Sequence, residues 1–273
     1  PGHQEVLAEA KRRRPSLPLF VVTFWPHPAS VLRPGVGPML LTSLEARIDL
    51  LSGNRDVLGG RDVAEGLVVI RHEIDLLTPL WHRPESINVA VWVSEIKAAT
   101  FTMAYEVFDD EAEKITYLRG LTVLAPFVFA EERPRRVSAA EREAMSRFSG
   151  EKVPVTRSPA GPGDAKVWQS PLKVRFSDID SYGHVNNVKY LEFFHEARLE
   201  CAQQLGLGGE DWVVARAEVD YRRPALFRHS AYVVRTWIAE IGNSSVTWGA
   251  ELVDPETAEV LAKGRIVTVN PQS

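Results

Sequence analysis

An internal repeat constrains this chain more than any other feature of its sequence. Residues 68–109 and 213–254 match without gaps at a fixed offset of 145. Identities at that offset include Arg71/Arg216, Glu73/Glu218, Asp75/Asp220, Pro79/Pro224, Arg83/Arg228, Trp92/Trp237, Glu95/Glu240, Ile96/Ile241, Glu106/Glu251 and Asp109/Asp254. Chance does not produce that many in one gapless frame, so the chain reads as two copies of one unit. Each copy is rich in strand signals. NVAVWVSEI (88–96) and YVVRTWIAEI (232–241) are β-branched and aromatic with partial period-2 alternation. TFTMAYEVF (100–108) and SVTWGAELV (245–253) follow, then polar turns, then GLTVLAPFVF and GRIVTVN. Strands joined by short turns imply antiparallel meanders, because parallel neighbours need long crossovers.

One long helix precedes the strands of the second copy. Asn186 or Asn187 can cap it. Val188, Leu191, Phe194, Cys201 and Leu205 form one apolar stripe, and Gly206 ends the pattern. The unit is therefore α+β, a helix on a curved antiparallel sheet. Residues 133–165 read as a linker. Ser138 and Glu141 form a capping-box pair for a short helix, and RSPAGPGD (157–164) reads as flexible.

Composition narrows the classes. With 273 residues there is room for two domains, and 45% apolar with 25% charged residues is globular. A net charge of −4 gives no field for nucleic acid or acidic lipid, so neither is expected as a partner. The single cysteine, Cys201, fits a reducing compartment. No run is apolar enough to span a bilayer, and the opening PGHQEVLAEAKRRR has no apolar signal core, so the expectation is a cytoplasmic protein. The seven histidines are scattered, with no zinc spacing, and no metal or cofactor is expected.

The chemistry concentrates at Phe176–Asn187, FSDIDSYGHVNN, where two carboxylates run into Gly-His and then a helix start. Strand, DxDxxGHVNN, YLEFFHEAR and meander together resemble the hotdog-fold acyl-CoA thioesterases of the 4-hydroxybenzoyl-CoA thioesterase-like superfamily. The resemblance covers essentially residues 170–270 and implies a tandem (double) hotdog, each unit a long helix wrapped by a curved antiparallel sheet. Its expected parts are residues 1–52 as a divergent or chimeric segment able to supply the first strand and helix of the first unit, 53–132 as a first hotdog unit without the motif, the linker, and 166–273 as the motif-bearing unit. Two units in one chain would act as an internal pseudo-dimer or assemble further as a homo-oligomer.

What the resemblance implies is hydrolysis of acyl-CoA thioesters, with Asp180 as general base for water or as nucleophile. Thioester hydrolysis also needs donors for the developing oxyanion, and amides near Gly183 and Val188, at the positive end of the helix, are candidates. Asn187 could hold water or lend its own N–H to the carbonyl. His184 could orient Asp180 or donate to the carbonyl. Arg222, Arg223 and Arg228 are candidate coenzyme A contacts, with Arg133, Arg135 and Arg136 as a second cluster. Trp237, Trp248 and Phe227 could wall an acyl tunnel.

Structural readings stand beside these. Asp178 suits bonding loop N–H groups, Asn187 suits a cap, Glu196 suits a solvated face, Cys201 suits the core, and the aromatics suit packing. A non-catalytic acyl-CoA-binding or assembly module, in which Asp180 only orders the corner, is the alternative function.

The first copy departs from the pattern at its start. Aligning LEAR (44–47) with HEAR (195–198) puts His27, Ala29, Arg33 and Val36 where Asp178, Asp180, His184 and Asn187 stand. Instead, GHQEVLAEA and VVTFWPHPASVLRPGVGPMLLTSLEARIDLL resemble the beginning of bacterial riboflavin kinase/FAD synthetases. About fifty residues cannot build a multi-stranded nucleotide site, so no FAD synthesis is expected and a residual nucleotide-binding fragment is the remote reading.

Overall fold

The β-branched stretches of both copies become long antiparallel strands. The structure, a computed structural model, describes residues 20–24, 66–80, 87–109, 115–128, 131, 133–180, 183–207 and 212–270. Two compact units emerge, residues 1–70 with 76–155, and residues 71–75 with 156–273. The helix expected in the first copy near 44–47, and the residues aligned with the polar corner, lie outside the described residues.

In the first unit, β1 (Phe20–Phe24), β3 (Ile87–Ile96), β4 (Phe101–Asp109) and β5 (Ile115–Val128) pair antiparallel in that order, β6 (Arg133–Pro134) joins the end of β5, and β2 (Leu67–Leu76) precedes them in the chain. The short helix α1 (Ala139–Ser146) starts as expected, with Ser138 Oγ accepting from Glu141 N and the Glu141 carboxylate accepting from Ser138 N. Arg135 grips the same carboxylate at 2.6 and 2.8 Å and holds it below its ordinary range. Residues 148–153 then run beside β3. Phe148 O accepts from Val93 N, Glu151 O accepts from the Trp92 indole, and Gly150 lies where any Cβ would overlap that indole.

The second unit contains β7 (Trp168–Leu172), a 3-10 turn (Phe176–Asp178), α2 (Asn187–Gln204), β8 (Val213–Tyr221), β9 (Tyr232–Ile241), β10 (Ser245–Val253) and β11 (Val260–Val269). Its sheet runs β7-β9-β10-β11-β8, and residues 71–75 of β2 pair antiparallel on β8. The two units repeat one register. Phe20 faces Val91 as Trp168 faces Thr236, and Thr236 is the repeat mate of Val91. Residues 20–24 thus supply the first unit with the counterpart of β7.

Helix α2 packs on the sheet face that carries Gly264. Only a glycine fits there, because a Cβ would sit 2.5 Å from the Phe194 ring. Val188, Leu191, Phe194 and Cys201 are buried on this face, as their spacing predicts. Leu205 is not. It is the C-cap and is part-exposed, and Gly206 at φ +70° turns the chain away. Arg198 is also buried, with Nη2 3.3 Å from His195 Nδ1. Burial first, and the Arg198 charge second, push His195 down to about 4.

The opposite face of the sheet carries charge. Register sets Arg71 against Asp220, Glu73 against Glu218 and Asp75 against Arg216. Arg71 pairs with Glu73, Glu218 and Asp220, and Arg216 with Glu73, Asp75 and Glu218, while Arg265 reaches Glu218 at 2.6 Å. Burial of Glu218 works to raise its pKa, but the Arg265 and Arg216 guanidinium groups outweigh it and hold the group ionised. The Pro- and Gly-rich stretch expected to be flexible is instead strapped across this face. Thr156 N donates to Glu73, Arg71 donates to Thr156 and Arg157, Pro159 is buried, and Gly161 packs beside Glu251 and Lys263. Pro and Gly set the backbone angles of such a strap without requiring that it move. Trp237 also lies here, opposite Gly249, whose missing Cβ makes room for the indole. It therefore cannot wall a tunnel beside α2. Trp248 lies on the helix side, its indole bonded to Thr268.

Two outcomes are expected. Glu218→Ala removes the buried carboxylate shared by Arg71, Arg216 and Arg265 and should cost about 3–5 kcal/mol in urea unfolding. The folded state leaves His195 unprotonated between its ordinary value of 6.5 and about 4, where the unfolded chain takes up a proton. Stability should therefore fall as pH drops through that window, and His195→Asn should flatten the slope between about pH 6.5 and 5; an unchanged slope assigns it to other groups.

Candidate active site

Three chain segments meet where β7 hands over to α2. The 3-10 turn is closed by Asp178, whose carboxylate accepts from Arg175 N at 2.8 Å, and whose carbonyl accepts from Asn186 N at 2.8 Å. Asp178 is buried, the structural role its position suggested. The loop after Tyr221 supplies the third segment. Val185 N donates to Ala225 O, and His184 bridges Leu226. Tyr190 and Tyr232, both buried, bracket this loop, since Tyr190 Oη accepts from Ala225 N at 3.1 Å and Tyr232 Oη holds both the N–H and the carbonyl of Leu226. Tyr221 donates to Asn187 O at 2.7 Å and stands edge-on to Tyr190.

Asp180 sits half-buried inside this frame. Its N–H donates to His184 O, its carbonyl accepts from Gly183 N, and its Oδ1 lies 3.3 Å from the His184 N–H. His184 therefore orients Asp180 through its backbone. Gly183 at φ +79° makes the turn, a conformation L side chains resist. Burial pushes Tyr190 up to about 12, and the charge of Asp180 adds to the effect, which puts the carboxylate within electrostatic reach of that hydroxyl.

The amides at this corner sort themselves. Gly183 N is taken by Asp180 O, and Val188 N by the side chain of Asn186, which is the N-cap. Both amides proposed from the sequence as oxyanion donors are thus engaged in folding the corner itself. His184, Val185, Asn186 and Lys189 also have acceptors. Among residues 183–189, Asn187 alone leaves its N–H without an acceptor among the described residues. Asn187 is the first helical residue and Asn186 the cap, which settles a choice the sequence left open.

Arg228 is committed elsewhere. Its Nη1 binds both oxygens of Asp254 at 2.9 Å and its guanidinium stacks 3.7 Å over Tyr232, so it braces the loop and has no charge to spare for a phosphate. Arg222 and Arg223 are exposed, Arg223 reaching Glu259 at 3.1 Å. Arg135 and Arg133 are paired with Glu141 and Glu131 in the first unit. Glu196 is exposed on α2. Cys201 is buried and its thiol is pushed up to about 11 by burial, which keeps it unreactive. Among the described residues, no group of three or more His, Cys, Asp or Glu side chains is gathered as a metal site, and no helix is long and apolar enough to cross a membrane.

The sequence reading missed the three tyrosines. Tyr190 lies between Val188 and Leu191 of the apolar stripe, and nothing in its spacing marks it as a loop anchor. Tyr221 and Tyr232 flank a loop whose role depends on long-range pairing.

Known proteins resemble this chain in family and in fold. Residues 174–272 match the thioesterase-like superfamily, and residues 1–56 match the FAD synthetase family. The long-chain acyl-CoA thioesterase FadM of Escherichia coli K12 is 31% identical over 112 residues, 37% of this chain and 80% of FadM. The 12:0-ACP thioesterase of Umbellularia californica shares the fold at a TM-score of 0.69 and 16% identity, over 91% of this chain and 96% of that one. An acyl-ACP thioesterase from Bacteroides thetaiotaomicron does so at 0.66 and 17%, over 92% and 97%. The family match over residues 174–272, together with 31% identity across 80% of FadM, establishes that the chain belongs to the thioesterase-like superfamily and is a thioester hydrolase.

Proposed function

We propose that the second unit hydrolyses acyl-CoA thioesters at the corner before α2, with Asp180 as general base or nucleophile and the Asn187 N–H as oxyanion donor. The single observation that carries this reading is the unpaired Asn187 amide at the positive end of α2, seven residues after a half-buried carboxylate. FadM, whose name gives long-chain acyl-CoA as its substrate, supports the choice of carrier. In the base form, Asp180 takes a proton from water as the water oxygen bonds to the carbonyl carbon. The carbonyl oxygen becomes an oxyanion facing Asn187 N–H. The C–S bond then breaks, and the proton passes from Asp180 to the thiolate. In the nucleophile form, Asp180 itself bonds to the carbonyl carbon, the thiolate leaves, and water cleaves the mixed anhydride. His184 and the Tyr190–Tyr232 pair hold the bend in place for either route. We read the two units as a tandem hotdog in which the first copy, lacking the motif, is not catalytic.

Position 187 allows a clean test. It is the first residue of a helix, where proline is well tolerated, and Asn186 at φ −56°, ψ 133° is already in the region a residue before proline requires. Asn187→Pro should therefore keep the fold while deleting the donor, and lower kcat about 10²–10³-fold on acyl-CoA. Asn187→Ala keeps the N–H and separates the side-chain contribution. Equal turnover in Asn187→Pro and Asn187→Ala would end the amide's role. Asp180→Asn should reduce kcat by at least about 10²-fold with the circular dichroism spectrum preserved; full activity would leave Asp180 as a corner-forming residue only.

A further inference from the structure

The mouth of this corner carries an exposed aromatic pair that folding does not explain. Phe176, on the 3-10 turn four residues before Asp180, is 81% exposed. Phe227 is 45% exposed and meets it edge-to-face, with ring centroids 6.1 Å apart. Leu226, bridged to His184, is 51% exposed. A phenylalanine gains nothing by standing in water, and at 81% exposure most of the Phe176 ring is open to a ligand. Arginines flank the pair along the chain. Arg175 precedes Phe176 in the chain, and Arg222 and Arg223 start the loop that ends with Phe227, anchored by their N–H groups on Leu261 O. All three are exposed, and only Arg223 has a carboxylate partner among the described residues.

Resting on the acyl-CoA reading, we infer that Phe176 and Phe227 form a stacking platform for the adenine of coenzyme A, with Arg222 facing its 3′-phosphate. A flat π-surface beside unpaired guanidinium groups suits a nucleotide carrying phosphate. A second copy of this chain would bring like-charged rims together, which costs energy. The hydrogen bonds from residues 184 and 185 to 225 and 226 fix the platform to the corner that holds Asp180, so the pantetheine arm would run inward from one to the other.

The test is calorimetric titration of adenosine 3′,5′-bisphosphate into the whole chain and into Phe176→Ala, Phe227→Ala and Arg222→Ala, all exposed positions. Base stacking predicts about tenfold weaker binding for Phe176→Ala. The ratio of kcat/KM for an acyl-CoA to that for the same acyl-pantetheine should fall by a similar factor. Arg222→Ala should weaken the bisphosphate and not adenosine. Wild-type protein that does not bind the bisphosphate, or Phe176→Ala that binds it equally well, overturns the platform. So does a dimer in sedimentation that Phe176→Ala dissociates, or an acyl carrier protein whose turnover falls in this variant while the acyl-CoA ratio holds. Phe176-dependent nucleotide binding in a protein that hydrolyses no thioester supports the platform and removes the hydrolase reading.

Discussion

Hydrogen bonds from consecutive backbone amides hold the bend that carries Asp180. Val185 donates to Ala225, Asn186 to Asp178, and the Asn186 side chain takes the Val188 amide. These bonds fix where α2 begins, and everything chemical at the corner follows from that. Once the neighbouring amides are spent on structure, the first helical N–H is left without an acceptor among the described residues, and a half-buried donor is best met by solvent or a ligand. The corner is arranged by subtraction: folding uses most of its donors, and what remains is the polar group a ligand can reach.

The sheet behind the corner divides its labour between two faces. The helix side is apolar, with Gly264 cut away for Phe194, while the opposite side holds Arg71, Glu73, Arg216, Glu218 and Arg265 beneath the strap from Thr156. Removing several charges from water is expensive, and the arrangement survives because the pairs are bidentate or shared. Such a lattice tolerates little sliding, since a one-residue shift would set each charge opposite an uncharged residue and move every side chain to the other face.

Much of this was legible in the sequence. Strands β9 and β10 have the bounds that periodicity gives them, and α2 ends where Gly206 predicts. The Ser138–Glu141 capping box could be read directly, because local motifs depend on neighbours three residues away. The corner was legible as a place but not as a circuit. Which amides were free depended on Ala225 and Asp178, partners distant in sequence or hidden in the backbone, so Gly183 and Val188 were misassigned. Arg228 looked like a phosphate ligand until Asp254 and Tyr232 were found around it. The strap was misread for a related reason: proline and glycine report angles, not mobility.

The charged ladder on β8 has a further implication. Arg-x-Glu-x-Asp laid antiparallel on Arg-x-Glu-x-Asp sets each arginine against an aspartate and glutamate against glutamate. The two ends of the pattern complement each other, so both arginine–aspartate pairs are encoded in a single copy of the sequence. Duplicating the gene segment would supply both halves of the match at once, with no new residue to evolve. A later change on either strand would break a symmetry that the other strand still keeps.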